Sequence, residues 1–333
     1  MKIANVINLL LHSVGCFLLS MYMSSCQQDF VDGKTYPSII VNHLDDENYV
    51  HALKIKNGYS FLLDDKNDSI LRIYRNEDLQ YPVKCLLKGT GKNELQKPSF
   101  CKEVAGVPYE GIRVLDNDSY LKIIDPDTDS LVSPVCIING LWNNTDYNIM
   151  SGEICALPFS PHKNYPFFFY NETNGYFWAD PDKCVAKLLQ QKPVAYSASL
   201  VLNEKKKRMA VAYRYTNHIS FYNLDGILEQ SFFVDNNKIV PVATRDGINI
   251  EASRKCFIET YGTEKYVYCL FDGSVDFSNN SQLHIYTWEG KRKAIISLDR
   301  NIRTFAVSED DSSILAVSRS ERGGQDILIY RMP

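Results

Sequence analysis

Residues 59–78, YSFLLDDKNDSILRIYRNED, contain two apolar segments of strand length separated by a turn rich in Asp, Asn and Ser. This composition is typical of a β-hairpin, because the polar residues favour a tight reversal and the flanking Phe, Leu, Ile and Tyr favour strands. The pattern recurs five more times along the chain. The further copies are GIRVLDNDSYLKIIDPDTD (111–129), YPFFFYNETNGYFWADPDK (165–183), RMAVAYRYTNHISFYNLDG (208–226), KYVYCLFDGSVDFSNNSQLHIYTWEG (265–290) and SILAVSRSERGGQDILIYRMP (313–333).

The repeat length indicates how the hairpins assemble. Equivalent positions recur about every 50 residues, which leaves room for two more strands before each hairpin. Before the fourth hairpin these would be CVAKLL (184–189) and YSASLVLN (196–203); before the sixth they would be KAIISL (293–298) and IRTFAVS (302–308). The sequence therefore predicts an all-β fold, a six-bladed β-propeller with four antiparallel strands per blade. Two β-sandwiches meeting near residue 190 are the alternative, although no linker marks that boundary.

The first apolar segment after the N-terminal region is SIIVN, at residues 38–42. It could be the inner strand of the first blade, which would build every blade from local sequence. It could instead pair with the final strand and close the ring as a clasp. The pattern leaves both arrangements open.

The N-terminal residues have the layout of an export signal. Lys2 is followed by an apolar stretch from Ile3 to Met23, and Met23-Ser24-Ser25 precedes Cys26. This is similar to a bacterial lipobox, whose cysteine receives a lipid and becomes the new N-terminus. A membrane anchor that stays uncleaved and an ordinary signal peptide are the alternatives. We expect a lipoprotein signal at residues 1–25 with lipid attachment at Cys26, a tether at 26–36 and the propeller at 37–333.

The composition excludes some partners and leaves disulfides undecided. The net charge is −4 and 45% of the residues are hydrophobic, so the chain can bury a core and does not have the basic balance of a nucleic-acid-binding protein. Lys205, Lys206, Lys207 and Arg208 form the only basic run, which we expect to be a solvated hairpin tip. Seven of the nine cysteines follow Cys26 without a Cys-x-x-Cys pair. One or two disulfides could form among them.

No catalytic or metal-binding motif is present in the sequence. The six histidines are scattered, and neither a His-Glu-x-x-His pair nor a Gly-x-Ser-x-Gly elbow occurs. His284 alternates with Leu283 and Ile285 along a strand, so we expect a hydrogen-bonded or exposed side chain there. DPDTDS at 125–130 suits a hairpin turn better than a calcium loop, because the Gly and distal Glu of such a loop are missing. We expect no cofactor, no metal and no catalytic residue.

The propeller fold itself indicates where a ligand would bind. The loops between blades, and those joining second to third strands, meet at one end of the ring. These loops contain aromatic and cationic residues suited to a protein or glycan. The candidate ligand-face residues are Trp142, Tyr147, His162, Arg245 and Arg303.

The combination of a lipobox, an acidic spacer and hairpins such as SFLLDDKNDSILRIY (60–74) resembles the TolB-like six-bladed propeller lipoproteins. KGTGKNELQKPSF (88–100) is similar to the Gly-x-Gly-x-x-Glu connector of that group, although Lys92 and Asn93 replace its frequent Gly-Pro. The resemblance implies the fold and a bacterial envelope location. It also implies a binding or scaffolding role.

Two functions are therefore considered. The first is a lipid-anchored module of the bacterial outer membrane, facing the periplasm or the cell surface, that binds an envelope protein or glycan. The second is a hydrolase or lyase that processes a polysaccharide or peptide at the channel mouth. The absence of catalytic motifs favours the first and a protein that is not an enzyme.

Overall fold

The structure, a computed structural model, describes residues 30–75, 79–104, 111–117, 120–128, 132–137, 144–150, 153–158, 168–171, 175–189, 193–245 and 247–333. The predicted signal and Cys26 lie outside these residues. Val31–Met332 form one compact unit. Within the described ranges, no helix has the length and apolar composition needed to cross a membrane.

The strands fall into six sheets, numbered here I to VI in chain order. Two N-terminal strands come first, β1 (Thr35–Tyr36) and β2 (Ile39–Leu44). Sheet I contains, in spatial order, β3 (Val50–Lys56), β4 (Tyr59–Asp64), β5 (Leu71–Arg75), β6 (Lys84–Lys88) and β7 (Glu94–Leu95).

Sheets II and III follow. The strands numbered next are β8 (Pro98–Phe100), β9 (Glu103–Val104), β10 (Ile112–Asp116), β11 (Tyr120–Ile124) and β12 (Val132–Ile137). Sheet II consists of β8, β10, β11 and β12, while β9 leaves it and pairs in parallel with β17 of sheet IV. Sheet III consists of β13 (Asn144–Met150), β14 (Glu153–Pro158), β15 (Phe168–Asn171) and β16 (Gly175–Trp178).

A short helix, α1 (Lys183–Leu189), and a 3-10 turn (Pro193–Tyr196) lead to the last three sheets. Sheet IV contains β17 (Ala198–Asn203), β18 (Arg208–Tyr213), β19 (His218–Asn223) and β20 (Leu228–Phe233). Sheet V contains β21 (Phe257–Gly262), β22 (Tyr266–Phe271), β23 (Gln282–Thr287) and β24 (Arg292–Leu298). Sheet VI contains β25 (Ile302–Val307), β26 (Ser313–Arg319) and β27 (Gln325–Arg331).

The sheets are arranged around an axis. In each sheet the first strand of the antiparallel core is the inner strand, and the inner strands of four pairs of consecutive sheets contact one another: β3 with β8, β13 with β17, β17 with β21, and β21 with β25. The last inner strand, β25, contacts the first, β3. The prediction of an all-β propeller is confirmed.

Burial on both faces of the strands explains why they are apolar throughout. In β18, Met209, Val211 and Tyr213 enter a core shared with α1, whereas Ala210 and Ala212 enter a core shared with sheet V. Because side chains alternate between faces, each sheet packs against two neighbours at once. This arrangement distinguishes the propeller from two sandwiches, in which one face of each sheet is solvated.

The structure corrects three details of the predicted repeat. Residues 184–189, expected to be a strand, belong to helix α1. Five of the six repeated hairpins form the second and third strands of a sheet, so one strand precedes each of them and the fourth follows it; β15 and β16, from the hairpin at 165–183, are the third and fourth strands of sheet III, as predicted. The sheets are not purely four-stranded and antiparallel, because β7, β9 and β1 add parallel strands to sheets I, IV and V.

The ring is closed by the N-terminal strand. Sheet VI takes only three strands from the C-terminal repeat, and β2 supplies the fourth by pairing antiparallel with β27, from Ile39 opposite Ile329 to Leu44 opposite Gln325. Of the two arrangements that the sequence left open, the clasp is the one observed. Just before it, β1 pairs in parallel with β24 of sheet V, and Ser38 N donates to Asp299 Oδ2 at 2.9 Å. The segment expected to be a tether thus already contributes a strand.

Gly324 lies where the clasp meets the β26–β27 turn. Its φ is +67°, its N–H donates to Asp46 Oδ1 at 2.7 Å, and a Cβ at this position would collide with the carbonyl oxygen of Leu44. Only glycine combines this backbone conformation with so close an approach.

We predict that Gly324→Ala lowers the free energy of unfolding by at least about 2 kcal/mol, because left-handed strain adds to the steric conflict with Leu44. Gly247→Ala is the matched control, since a Cβ there meets no atom within 4 Å. Urea denaturation of both variants measures the difference. Equal stability of the two variants would show that the clasp tolerates displacement at Gly324.

Candidate ligand-binding face and axial network

The candidate face is the end of the propeller at which the inner strands begin, called here the upper end. The antiparallel topology places there the connections between sheets and the turns joining second to third strands. Three connections at sheets IV to VI form what we call the upper loop face: residues 234–256, 272–281 and 299–301. Arg245 lies in the first, and Arg303 is the second residue of β25 directly after the last.

Residues 234–256 connect sheet IV to sheet V and form a long loop with an ordered framework. Asn217, in the β18–β19 turn, holds its first part: Oδ1 accepts from Ile239 N at 2.8 Å and Nδ2 donates to Asn237 O at 2.9 Å. Long connections without regular structure are uncommon in compact domains and usually have a function. This loop therefore qualifies as a binding element that is fixed in shape before a partner arrives.

Arg245 is at the tip of a small hairpin within that loop. Asn249 N donates to Val242 O at 2.8 Å, Ala243 pairs with Ile248, and Thr244 N donates to Gly247 O at 3.0 Å. The hairpin exposes Arg245 to solvent. A guanidinium held on a defined turn can bind a carboxylate or phosphate of a partner.

The buried ammonium of Lys255 joins two loops of the face. Lys255 is 6% exposed, and its Nζ donates to Ile250 O at 2.5 Å, Val275 O at 2.6 Å and Ser253 O at 2.9 Å. Three carbonyl acceptors saturate the three N–H donors of an ammonium group. Lys255 therefore fixes residues 250–253 against residues 272–278.

Four aliphatic side chains are exposed on the two joined loops. Val240, Val242, Ile250 and Val275 have exposed fractions of 46%, 45%, 46% and 40%. Single exposed apolar residues are ordinary, but a group on two loops fixed to each other is typical of an interaction surface. The Lys255 ammonium bonds to the backbone of two of these four residues, so it orders the apolar group directly.

Arg303 extends the face towards sheet VI. Its guanidinium lies 5.5 Å from the centre of the Phe277 ring, and the Lys255 ammonium lies 5.8 Å from the same ring. Phe277 has a φ of +59°, an uncommon conformation for a bulky residue. Strain of this kind clusters at binding sites, where the surrounding structure holds it.

A short axial segment, residues 101–104, lies on the inner side of the ring. It includes β9, which pairs with the inner edge of sheet IV. Cys101 O accepts a hydrogen bond from Lys54 Nζ of sheet I, and Lys102 Nζ donates to Ser199 Oγ of sheet IV at 3.0 Å. Lys102 also lies 3.9 Å from Glu259 of sheet V. The axis is therefore occupied in part by the chain itself.

The axial network continues through the inner strands. Ser199 Oγ accepts from Thr260 N at 3.0 Å, and Glu259 Oε2 accepts from Phe305 N at 3.3 Å. Sheets IV, V and VI are thereby joined by polar contacts near the axis. Glu259 lies beside an ammonium group and accepts from a backbone amide, so its negative charge is compensated within the axial network.

A buried group of Asp182, His218 and Ser220 contains the residue types of a hydrolytic triad, although no sequence motif marks it. The hydrogen bonds of this group are those of a structural cluster and not of a catalytic triad. Ser220 Oγ donates to Asp182 Oδ2 at 2.7 Å, His218 Nε2 lies 2.8 Å from the same oxygen, and all three residues are buried. Asp182 Oδ1 accepts from Cys184 N at 2.9 Å and from Val185 N at 3.2 Å, which caps helix α1.

The hydrogen bonds of Asp182 keep it ionised. Burial acts to raise the pKa of this carboxyl, but the hydrogen bond and charge of His218, with Ser220 and Val185 N, outweigh it and lower the pKa to about 2. A serine that donates to the carboxylate, and not to the imidazole, has no general base. The cluster therefore attaches the sheet III–IV connection to sheet IV.

His284 does not have the environment predicted from its alternation. The residue is 3% exposed, and neither ring nitrogen has a hydrogen-bond partner in the described part of the chain. Its ring lies 5.6 Å from Phe257 and 5.0 Å from Phe271. The expectation of a hydrogen-bonded or exposed histidine is wrong because both faces of sheet V are packed. Burial lowers the pKa of His284 to about 4.

The remaining sequence candidates have no side chain in the described structure. Tyr147 lies on β13, the inner strand of sheet III, and only its backbone is described. Trp142, His162 and Cys26 lie outside the described residues. Of the five predicted ligand-face residues, Arg245 therefore lies on the upper loop face and Arg303 lies beside it, on β25.

Metal and disulfide chemistry can be described for part of the chain. Where side chains are described, no three His, Cys, Asp or Glu residues converge in a metal-binding arrangement. The cysteines whose state is described are all free thiols: Cys85, Cys101, Cys184, Cys256 and Cys269. Cys269 is buried in the core.

Comparison with known proteins supports the fold. Residues 189–310 match the TolB-like 6-blade propeller-like family, so the resemblance drawn from the hairpins is confirmed over that range. No curated protein matches the chain in a sequence search. The matched range contains strands β17–β24 of sheets IV and V and all of the upper loop face.

Solved structures with a similar architecture cover nearly the whole chain. A crystal structure of a member of the DUF4221 family from Bacteroides vulgatus has a TM-score of 0.53 and 11% identity, covering 91% of this chain and 97% of that chain. The RRP9 WD40 repeats have a TM-score of 0.47 and 7% identity, with coverage of 92% and 100%. U3-55K has a TM-score of 0.46 and 7% identity, with coverage of 89% and 98%.

We predict that Lys255→Met lowers the free energy of unfolding by about 2–3 kcal/mol, because the carbonyls of Ile250, Ser253 and Val275 lose their charged donor. Hydrogen exchange should accelerate in residues 234–256 and 272–281 more than in sheet I. Lys88→Met, which changes an exposed lysine, is the control. Unchanged exchange in both loops would contradict the role assigned to Lys255.

We predict that His284→Phe removes part of the acid sensitivity of the fold. The folded pKa of about 4 lies below the ordinary histidine value of 6.5. The stability associated with neutral His284 is therefore complete above about pH 6.5 and falls by about 1.4 kcal/mol per pH unit down to about pH 4. Relative to the native chain, the variant should gain stability between pH 7 and pH 4.5. If the difference in unfolding free energy between His284→Phe and the native chain stayed constant from pH 7 to pH 4.5, the prediction would be contradicted.

Proposed function

We propose that this chain is a lipid-anchored binding module of the bacterial outer membrane, and that its six sheets are the blades of a six-bladed ring that presents the upper loop face to an envelope protein or glycan. The propeller fold generally serves protein interactions, and the family matched over residues 189–310 is associated with the bacterial envelope. The lipobox ending at Cys26 would supply the anchor.

The observation that carries the proposal is the ordered upper loop face. Buried Lys255 fixes two loops that expose Val240, Val242, Ile250 and Val275, with Arg245 on an adjacent hairpin tip. A surface that is rigid before binding loses little entropy when a partner docks. Apolar residues beside a guanidinium suit a protein partner with an apolar contact and an acidic group better than a neutral glycan.

The axial contacts favour the face over the channel as the binding region. Residues 101–104 contact the inner strands near the axis, where the substrate of a channel enzyme would lie. Glu259 forms an ion pair with Lys102 in the same network. Together these contacts favour the upper loop face over the channel as the binding region.

The experiment is site-specific photocrosslinking in the native envelope. A photoreactive amino acid replaces Val242 on the upper loop face or, as the matched control, Ile227, an equally exposed residue in the β19–β20 turn at the opposite end. We expect a discrete crosslinked species from position 242 only, and we expect Arg245→Glu to reduce it several-fold. Equal crosslinking from both positions would contradict a specific upper loop face.

The same cells test the anchor. Cys26→Ala removes the lipid attachment point, so the chain should leave the membrane fraction, while a Cys85→Ala chain stays in it. If the Cys26→Ala variant stays in the membrane fraction and alkaline carbonate does not extract it, the lipid anchor would be contradicted and an uncleaved membrane span indicated.

A further inference from the structure

Three basic turns lie together at the lower end of sheets IV and V, where the inner strands end. They are residues 204–208 between β17 and β18, 263–265 between β21 and β22, and 289–293 between β23 and β24. They contain eight Lys or Arg residues and three Glu residues, a net charge of +5 in a chain whose net charge is −4. We call this surface the basic end.

Contacts between the turns show that they form one surface. Lys205 pairs with Glu264, which joins the first turn to the second. The pKa of Glu264 is lowered by that hydrogen bond and the charge of Lys205, and further by Lys206. The pKa of Glu289 is lowered mainly by its hydrogen bond with Thr287, and the charges of Lys206 and Arg208 lower it further. Glu289 belongs to the third turn, so the first and third turns are also close together. The sequence predicted one solvated tip, but the fold combines three.

Acidic neighbours neutralise only part of this charge. Arg208 pairs with Glu229 at 3.0 Å, Lys265 lies 3.7 Å from Asp311, and Arg292 lies 3.7 Å from Asp32. Lys206, Lys207 and Lys291 are exposed and have no ion pair within the described residues. These three ammonium groups are available to an external anion.

The N-terminal segment enters the fold beside the basic end. Asp32 Oδ1 accepts from Ile295 N at 2.7 Å, and Gly33 N donates to Ile295 O at 2.8 Å, close to the 289–293 turn. From there the chain runs along β24 towards the upper end. The four residues 27–30 span at most about 14 Å. An anchor at Cys26 would therefore hold the basic end close to the bilayer surface.

We propose that the basic end docks on the anionic headgroups of the membrane to which the chain is tethered. This inference rests on the proposed lipid anchor for its geometry and on the charge of the three turns for its chemistry. Lysines near an anionic leaflet each contribute about 1 kcal/mol of attraction, within a Debye length of about 8–10 Å. A protein with net negative charge would be repelled in other orientations, so docking turns the upper loop face away from the membrane.

The test uses the full chain carrying Cys26→Ala, so that binding does not depend on the lipid. It is mixed with phosphatidylcholine vesicles with or without about 30% phosphatidylglycerol, and flotation is measured at low and high salt. We expect binding to the anionic vesicles that high salt abolishes. Lys206→Gln, Lys207→Gln and Lys291→Gln together should weaken it about 100-fold.

Lys66→Gln, Lys88→Gln and Lys92→Gln together are the control, because they remove the same charge from exposed lysines elsewhere and should leave binding nearly unchanged. Equal flotation with neutral and anionic vesicles, or equal loss in both triple variants, would overturn the proposal. Attachment through the apolar N-terminal residues would give the first of these results. Failure of the lipid-anchor proposal would be detected in a separate experiment, in which the Cys26→Ala variant would remain in the cell membrane fraction.

Discussion

The pairing of β2 with β27 is the interaction on which the rest of the ring depends. The C-terminal repeat contributes three strands to sheet VI, and its open edge is covered only because residues 39–44 return from the other end of the chain. Gln325 extends the closure to sheet I, since its Oε1 accepts from Val50 N at 2.7 Å and its Nε2 donates to Val50 O at 3.0 Å. Without this strand, two sheets would lose buried surface together.

The sequence predicts the parts of the fold that depend on local pattern. The six hairpins follow from alternation and turn residues, and burial on both faces explains runs such as RMAVAY at 208–213. Helix α1 was missed because CVAKLL also has strand composition, although Asp182 directly before Lys183 is a capping signal. The sequence could not decide whether residues 38–42 form a clasp or an inner strand. The answer depends on pairing with β27, which lies at the other end of the chain.

The candidate site was predicted less completely for the same reason. Loop position makes Arg245 and Arg303 candidates, and their contact with a ligand stays a prediction. A lysine alone does not indicate that it will be buried among carbonyls, as Lys255 is. The apolar group is likewise assembled from two loops that β21 and β22 separate in the sequence. At the other end of the propeller, three turns form the basic end. The two ends of one propeller therefore differ in chemistry, and the N-terminal segment enters at the basic one.

Native-state hydrogen exchange tests the closure most directly. If the β2–β27 pairing holds the ring, the amides of residues 39–44 and 325–331 should exchange only through global opening, with free energies equal to the free energy of unfolding in urea. Rapid exchange of residues 39–44, with β27 and β25 still protected, would show that the ring stands without its N-terminal strand and would contradict the account.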